Sequence, residues 1–229
     1  GDQVFYKYDG NVQPIPCPIE EYVFDNMNIA QRDKVSAAVN SKFNEVWWFY
    51  PSTDSQINDS YVVYNYVEKS WYYGTLGRTA WYDNAISNLP IAASTDGYIY
   101  FHENGVNDGS TNPPSPISSY IESSAIDMGD GDQFMFVSRV LPDLTFRNST
   151  STPVATFEVS ARDFPGANFD QTNSGAAVRS ATAPVEQFTE QLFFRLRGRS
   201  MALKVSSNTL GTQWRLGTPR ADMRTDGRR

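Results

Sequence analysis

The fold class is decided by one run of the sequence, Glu45-Val46-Trp47-Trp48-Phe49-Tyr50. Aromatic and β-branched residues favour the pleated, half-buried surface of a β-strand. Similar runs surround it, and turn-forming residues separate them: Val35–Asn40, Tyr61–Tyr66 and Ser70–Leu76. We therefore predict four consecutive antiparallel strands in this part of the chain.

The spacing of these four runs is that of one four-stranded blade of a β-propeller, whose repeats take about 40–50 residues. A fainter copy follows, with strand-like runs at Thr79–Tyr82, Pro90–Ser94, Tyr98–Glu103 and Ile117–Ile121. Closing a propeller takes roughly four blades or more. We expect the remaining blades to lie upstream of this sequence or on neighbouring subunits. The alternative is a plain antiparallel meander or sandwich.

The composition of the 229 residues, of which 14% are aromatic, also favours an all-β protein. One helix is predicted at Pro18–Phe24, because proline favours the start of a helix and acidic residues favour its first turn. The single cysteine, Cys17, excludes an intrachain disulfide and indicates folding in a reducing compartment; we interpret it as a small packed residue. No run is long and apolar enough for a membrane anchor.

The N-terminus has neither the basic nor the apolar region of a signal peptide. The sequence opens directly on a strand-like run, without an initiator methionine, so we expect it to be part of a longer protein.

A change in composition at Asp127–Asp132 predicts a domain boundary, with blades in residues 1–127 and a second domain in residues 128–229. Short strand-like runs follow the boundary, and several alternate apolar and polar residues as half-buried strands do. They are Phe134–Val140, Leu144–Arg147, Val154–Arg162, Gln187–Arg197, Met201–Ser206, Thr212–Leu216 and Arg220–Arg224. Six or seven strands in such a length predict a small antiparallel β-sandwich.

Charge is divided unevenly along the chain. Residues 191–229 contain nine basic and two acidic residues and carry a net charge of +7, whereas the first 190 residues carry −14. We expect contacts with phosphates or with an acidic partner at these C-terminal residues: Arg195, Arg197, Arg199, Arg215 and Arg220. Arg195, Arg197 and Arg199 alternate onto one side of a strand, so a solvated strand face is the simpler interpretation.

The aromatic strands offer a second candidate surface. Adjacent residues of a strand point to opposite faces, so one set of these side chains belongs to the core and the other is available for contacts between subunits. The candidate interface residues are Trp47, Trp48, Trp71 and Tyr73. An alternative use of the same residues is stacking against a sugar.

The sequence has few residues arranged for catalysis or metal binding. His102 is the only histidine, and Glu103, which could orient it as a general base, points to the opposite face of the same strand. Asp127, Asp130 and Asp132 could wrap a calcium ion, but repeated Asp-Gly pairs are more often plain turns. We therefore expect no enzyme activity and no cofactor.

Several runs resemble a family of structural proteins of tailed bacteriophages. They are Asn44–Pro51, Tyr61–Tyr66, Trp71–Leu76, Tyr120–Ser123, Asp127–Met135 and Trp214–Arg220. The resemblance covers most of the chain and is closest to the C-terminal part of the tail nozzle, or packaged-DNA stabilisation, proteins of short-tailed phages.

That resemblance implies a virion protein that is assembled in the host cytoplasm. It implies a β-propeller with further β-domains, arranged as a six-fold ring at the tail tip, which retains packaged DNA and forms part of the ejection conduit. The implied partners are the adaptor, portal-side tail proteins and fibres or spikes, with non-specific contact to phage DNA. Two alternatives stay open: a module that binds host-surface glycans, and a glycan-degrading enzyme on a propeller scaffold.

Overall fold

A computed structural model of the chain describes residues 3–84, 88–129, 131–164, 167 and 179–228. The described chain is all-β, with several small antiparallel sheets, none of them closed. It divides into two compact units, Gly1–Asn104 and Gly105–Arg229. No helix in the described ranges has the length and hydropathy needed to cross a lipid bilayer.

The first unit contains one helix, α1 (Glu20–Asp25), and a 3-10 turn at Ile29–Lys34. Its strands are β1 (Phe5–Tyr8), β2 (Val12–Ile15), β3 (Ser36–Asn40), β4 (Glu45–Tyr50), β5 (Ser60–Asn65), β6 (Ser70–Thr75), β7 (Ala80–Tyr82), β8 (Ile91–Ala93) and β9 (Ile99–Phe101). β1 and β2 form a hairpin, β3 to β6 form a four-stranded meander, and β7 to β9 form a three-stranded meander. The four strands and the helix that the sequence predicts are confirmed within a few residues.

The four-stranded sheet has both faces covered. On one face, Trp47 and Phe49 pack with Val63 and with Trp81 of the three-stranded sheet. On the other face, Tyr50 and Val62 pack with Val23 of α1, and partly buried residues of the N-terminal region, among them Phe5 of β1, complete the cluster. Alternation along β4 therefore produces two hydrophobic clusters from a single strand.

The second unit contains twelve strands among its described residues. They are β10 (Asn107–Asp108), β11 (Ser115–Pro116), β12 (Ser119–Glu122), β13 (Ile126–Asp127), β14 (Met135–Leu141), β15 (Leu144–Thr145), β16 (Val154–Arg162), β17 (Arg179–Glu186), β18 (Leu192–Gly198), β19 (Ser200–Ser207), β20 (Arg215–Leu216) and β21 (Arg220–Thr225). One sheet has the order β12-β19-β16-β17, with β13 also paired to β19, and another has the order β18-β14-β21. One core of buried residues is shared by these two sheets, with Phe157 and Val205 from the first and Met135 and Phe194 from the second.

The predicted outer strand of the second blade and the predicted domain boundary both differ from the structure. Ile117–Ile121 is predicted as the outer strand of a second blade, but β12 instead pairs with Lys204–Ser207 of β19, where its backbone hydrogen bonds are satisfied. For this reason β12 and β13 belong to the second unit, and the division falls at residue 104 rather than at 127. The described second meander has three strands.

Strand β17 is missing from the sequence prediction. Its run contains Pro184 and small residues, and proline within a run argues against a central strand. The structure places β17 at the edge of its sheet, where Pro184 lies opposite Thr156 of β16. An edge position leaves one side of the strand without a ladder, so the absent N–H of proline is tolerated there.

The central position of Phe157 gives a first prediction. Its side chain is fully buried in the shared core, so Phe157→Ala should lower the free energy of unfolding by about 3–5 kcal/mol, through lost burial and the remaining cavity. Phe193→Ala on β18, where the ring is exposed, is the matched control and should change it by less than about 0.5 kcal/mol. Urea unfolding followed by the 19F signal of fluorotryptophan at Trp214, which packs against the same core, measures both.

Candidate functional site

The outward face of the sheet β18-β14-β21 is rich in arginine. Along β18, the side chains of Leu192, Phe194 and Leu196 enter the core, so the alternate positions Arg195 and Arg197 point outward. The register continues this face across the sheet with three further arginines. They are Arg139 of β14 and Arg220 and Arg224 of β21.

Ion pairs neutralise part of this face. Arg139 binds the carboxylate of Asp222 at 2.7 Å, and Arg197 binds that of Asp226 at 2.6 Å. Arg195, Arg220 and Arg224 form no ion pair with any residue in the described ranges. The face therefore keeps a positive charge that an anionic partner could neutralise.

Aromatic rings hold some of the guanidinium groups in place. Arg197 lies over the ring of Phe134 with 3.9 Å between the guanidinium carbon and the ring centroid, and Arg199 approaches the same ring at 4.7 Å. Arg224 lies over Phe136 at 5.1 Å. Such cation–π contacts limit the rotamers of long side chains, so less conformational entropy is lost when these groups bind an anion.

The structure separates the five arginines that the sequence singles out. Arg195, Arg197 and Arg220 share the outward face. Arg199 lies between β18 and β19, where it donates to the carbonyl oxygens of Asp132 and Arg228. Arg215 belongs to β20, which pairs with β15 in a separate sheet.

Sequence reasoning missed two arginines of this face, Arg139 and Arg224. The alternation of β21 places Arg224 on the same side as Arg220, so the sequence pattern contains a signal for Arg224. Arg139 follows an irregular step in the ladder of β14 between Val137 and Arg139. A regular period-two reading therefore assigns Arg139 to the buried face.

The predicted aromatic interface residues pack mainly within the chain. Trp47 is 9% exposed, and Trp48 and Trp71 stack on each other with 6.0 Å between their ring centroids. The indole of Trp71 also donates to the carbonyl oxygen of Pro16. Tyr73 is the most exposed of the four at 38%, and its ring lies 4.4 Å from that of Tyr22. A sugar that stacked on Trp48 or Trp71 would have to displace these contacts.

An apolar face of the first unit is exposed where the sequence predicts none. The three-stranded sheet turns Trp81 towards Trp47, so the alternate residues form its outer face. In the register of the sheet, Tyr82, Ile91 and Phe101 form one row, and Ala80, Ala93 and Ile99 form the next. Ile99 is 71% and Phe101 59% exposed. Six apolar residues in two rows make this an unusually apolar outer face for a sheet.

The hairpin β1–β2 carries a second exposed apolar surface. Tyr8 lies opposite Val12, and Tyr6 lies opposite Pro14 on the same side of the hairpin. Both Tyr8 and Val12 are largely exposed, whereas Phe5 on the other side packs against Trp48 and Trp71. The layers of the first unit thus end in an apolar surface on the hairpin and another on the three-stranded sheet.

His102 contacts an arginine rather than Glu103. Arg78, which is buried, donates from Nε to His102 Nε2 at 2.9 Å, and the ring of Trp81 lies 4.6 Å from the imidazole. Burial, reinforced by the charge of Arg78, lowers the pKa of His102 from its ordinary value of 6.5 to about 4. A neutral imidazole that accepts a hydrogen bond from arginine lacks the carboxylate partner of a catalytic base.

A buried carboxylate that sequence reasoning did not single out lies beside Trp47. Glu45 accepts a hydrogen bond from the indole nitrogen of Trp47 at 3.0 Å, and Glu103 accepts one from the amide of the fully buried Asn40 at 3.1 Å. Burial raises the pKa of Glu45, and the nearby charge of Glu103 adds to the effect. The period-two pattern of β4, with Glu45 and Trp47 on one face, could have predicted this contact.

The remaining candidate residues are the single cysteine and the aspartates considered for calcium binding. Cys17 is buried, as predicted, and burial raises the pKa of its thiol, which keeps it protonated. Asp130 lies outside the described residues, and Asp132 binds Arg228 at 3.4 Å. The described residues contain no group of three or more histidine, cysteine or acidic side chains that could hold a metal ion.

No protein-family model matches the chain, and no curated protein sequence matches it at a significant level.

The low pKa of His102 predicts how stability changes with pH. Between about pH 6.5 and about pH 4 the unfolded chain binds a proton on this residue that the folded chain does not bind. The free energy of unfolding should therefore fall as the pH drops through this window. His102→Gln, whose amide oxygen can still accept from Arg78, should lose this part of the pH dependence.

Denaturant unfolding at several pH values, compared between the wild type and His102→Gln, measures this component, since all other titrating groups are common to both. Parallel pH profiles for the two proteins would contradict a buried, neutral His102.

Proposed function

We propose that the chain is a non-catalytic structural protein of a bacteriophage tail, which assembles with copies of itself into a ring at the tail tip. In that ring it helps to retain packaged DNA and lines part of the ejection conduit. The observation that carries this proposal is the exposed apolar face of the three-stranded sheet β7-β8-β9. The resemblance of the sequence to nozzle proteins supplies the tail assignment.

The apolar face supports assembly because sheets rarely leave such a face in water. Antiparallel sheets usually alternate apolar residues on the inside with polar residues on the outside. Here the outer side of β9 presents Ile99 and Phe101, and β7, on the far side of β8, presents Tyr82. Covering these side chains would stabilise the assembly by roughly 25 cal/mol for each Å² of apolar surface that is removed from water. In a propeller, the next blade would provide this cover.

The hairpin supports a head-to-tail arrangement of copies. A contact between Tyr8 and Val12 on one copy and the β7-β8-β9 face on the next joins two different surfaces of the same chain. Contacts of this kind form closed rings when the rotation between copies closes. The two surfaces belong to opposite layers of the first unit, with the four-stranded sheet between them.

The arginine-rich face supports contact with DNA in the conduit. Arg195, Arg220 and Arg224, which form no ion pair with the described part of the chain, are all exposed. The rest of the chain is acidic, so it would repel the phosphates of passing DNA rather than bind them. A limited positive face on an acidic protein favours weak, sequence-independent contacts, which suit DNA that must later leave.

The assembly proposal is tested by measuring the molar mass of the protein in solution. Size-exclusion chromatography with light scattering, over a range of concentrations, should show an oligomer for the full chain. Phe101→Lys places a charge in the apolar face and should weaken self-association by more than about tenfold. Phe188→Lys is the control, because its ring is 86% exposed and lies between β17 and β18 in the second unit. A wild-type monomer at all concentrations, or equal effects of both variants, would contradict the proposal.

The DNA proposal is tested by the salt dependence of binding. Arg195→Gln combined with Arg224→Gln should weaken binding of a DNA duplex and reduce the slope of log K against log salt, by up to about 0.9 per lost phosphate contact. Arg215→Gln, on a different sheet, removes one positive charge outside this face and is the control. Fluorescence anisotropy with a labelled duplex measures both. An equal loss of binding free energy per removed charge in the double variant and in Arg215→Gln would exclude a specific role for the face.

A further inference from the structure

The two sheets of the second unit leave one side of their shared core open. A cavity of about 410 Å³ lies between them, and its lining is almost entirely apolar. Core residues of both sheets reach it, among them Val137, Val159 and Met201. Leu216 of β20 and the partly exposed Met223 of β21 also line it. Protein interiors are close-packed, and water enters a cavity only where it finds polar partners. A cavity of this size and composition is suited to apolar side chains.

The opposite side of the same core is closed. There β17 packs against β18, and Val185 and Leu192 are buried. The open side lies where the first sheet ends in β12 and β13 and the second ends in β21. Ile121 and Ile126 of the first sheet line the cavity and are both exposed. Within the described chain, the cavity therefore opens only on the side of the core that is bordered by β12, β13 and β21.

Strand β21 is an edge strand on this side. Within the described residues it pairs only with β14, and all six of its residues are exposed. Its second row of N–H and C=O groups can therefore pair with another strand. Ala221 and Met223 line the cavity, while Arg224 points outward over Phe136. A strand added beside β21 would turn alternate side chains into the cavity.

The charge beside this edge indicates what the added strand would carry. The outward positions of β21 are Arg220, Asp222 and Arg224, and Asp222 is already bound to Arg139. Arg220 and Arg224 would thus face the outward side chains of an added strand. Opposite charges on neighbouring strands stabilise a sheet, and like charges destabilise it. Acidic residues at alternate positions are therefore favoured.

We propose that this edge binds an extended segment of a partner protein in which apolar and acidic residues alternate. The segment adds a strand beside β21, places its apolar side chains in the cavity and sets its carboxylates beside Arg220 and Arg224. This is recognition by strand addition, in which backbone hydrogen bonds provide affinity and the cavity provides specificity. The inference does not depend on the proposed function, because it rests on the second unit alone.

A small amphiphile such as a fatty acid is the competing occupant. Its alkyl chain would suit the apolar lining, and its carboxylate could reach Arg220 at the rim. It would, however, leave the free backbone groups of β21 without partners. The unpaired edge therefore favours a peptide, and the experiment has to separate the two.

The test uses the full chain and a fluorescein-labelled eight-residue peptide with valine and glutamate at alternate positions. Fluorescence anisotropy should show saturable binding, and hydrogen exchange should show slower exchange of β21 amides in the complex. The same peptide with lysine in place of glutamate should bind at least about tenfold more weakly. Decanoate, added at millimolar concentration, should neither match the peptide's affinity nor protect β21.

Three variants locate the site. Met223→Lys puts a charge into the cavity, and Ala221→Leu fills part of it; each should weaken binding by more than about tenfold. Because both residues are exposed at the edge, the fold should tolerate either change, and Ala221→Leu adds no charge to the core. Phe188→Lys, which lies outside the cavity lining, should bind as the wild type does.

The proposal is supported if the glutamate peptide binds tightly, if its binding protects β21 from hydrogen exchange, and if Met223→Lys and Ala221→Leu both weaken the binding. Absence of peptide binding at millimolar concentration, or equal binding of the lysine peptide, would overturn it. Tighter binding of decanoate without protection of β21 would overturn it in favour of an amphiphile site.

Discussion

Trp47 and Trp48 are consecutive residues of one strand, and their side chains point to opposite faces of the four-stranded sheet. Both indoles contribute large apolar surfaces, so neither face of this sheet can stay in water. The helix and the N-terminal hairpin cover one face, and the three-stranded sheet covers the other. The arrangement of the first unit follows from this single requirement.

Each covering layer has an outer side of its own. The hairpin turns Phe5 inward and leaves Tyr8 and Val12 outside, and the three-stranded sheet turns Trp81 inward and leaves Ile99 and Phe101 outside. The outermost layers of the first unit would be stable in water on their own only if their outer faces were polar. Neither of these outer faces is polar, which is why the proposed assembly uses both of them.

The second unit distributes apolar and charged residues differently. Its two sheets share one core, and period-two alternation sends arginines to the outward face of the sheet β18-β14-β21. The same alternation in β21 places Met223 towards the cavity and Arg224 towards solvent. Strand β21 thus joins a charged surface to an apolar opening, and among the described residues its outer backbone groups have no strand partner. The arginine-rich face and the cavity meet at β21 because the sheet β18-β14-β21 ends at this strand.

The sequence by itself determined the all-β class, the strands of the first meander, the short helix and the basic character of the C-terminal strands. These follow from local patterns, because strand alternation, turn residues and charge are properties of neighbouring positions. Only the tertiary structure decided that β12 joins β19, that the edge strand β17 exists, that Arg139 shares a face with Arg195, and that His102 contacts Arg78. Each of these depends on which distant segments pair. Pairing is set by the burial of side chains far apart in the chain, which no local pattern contains.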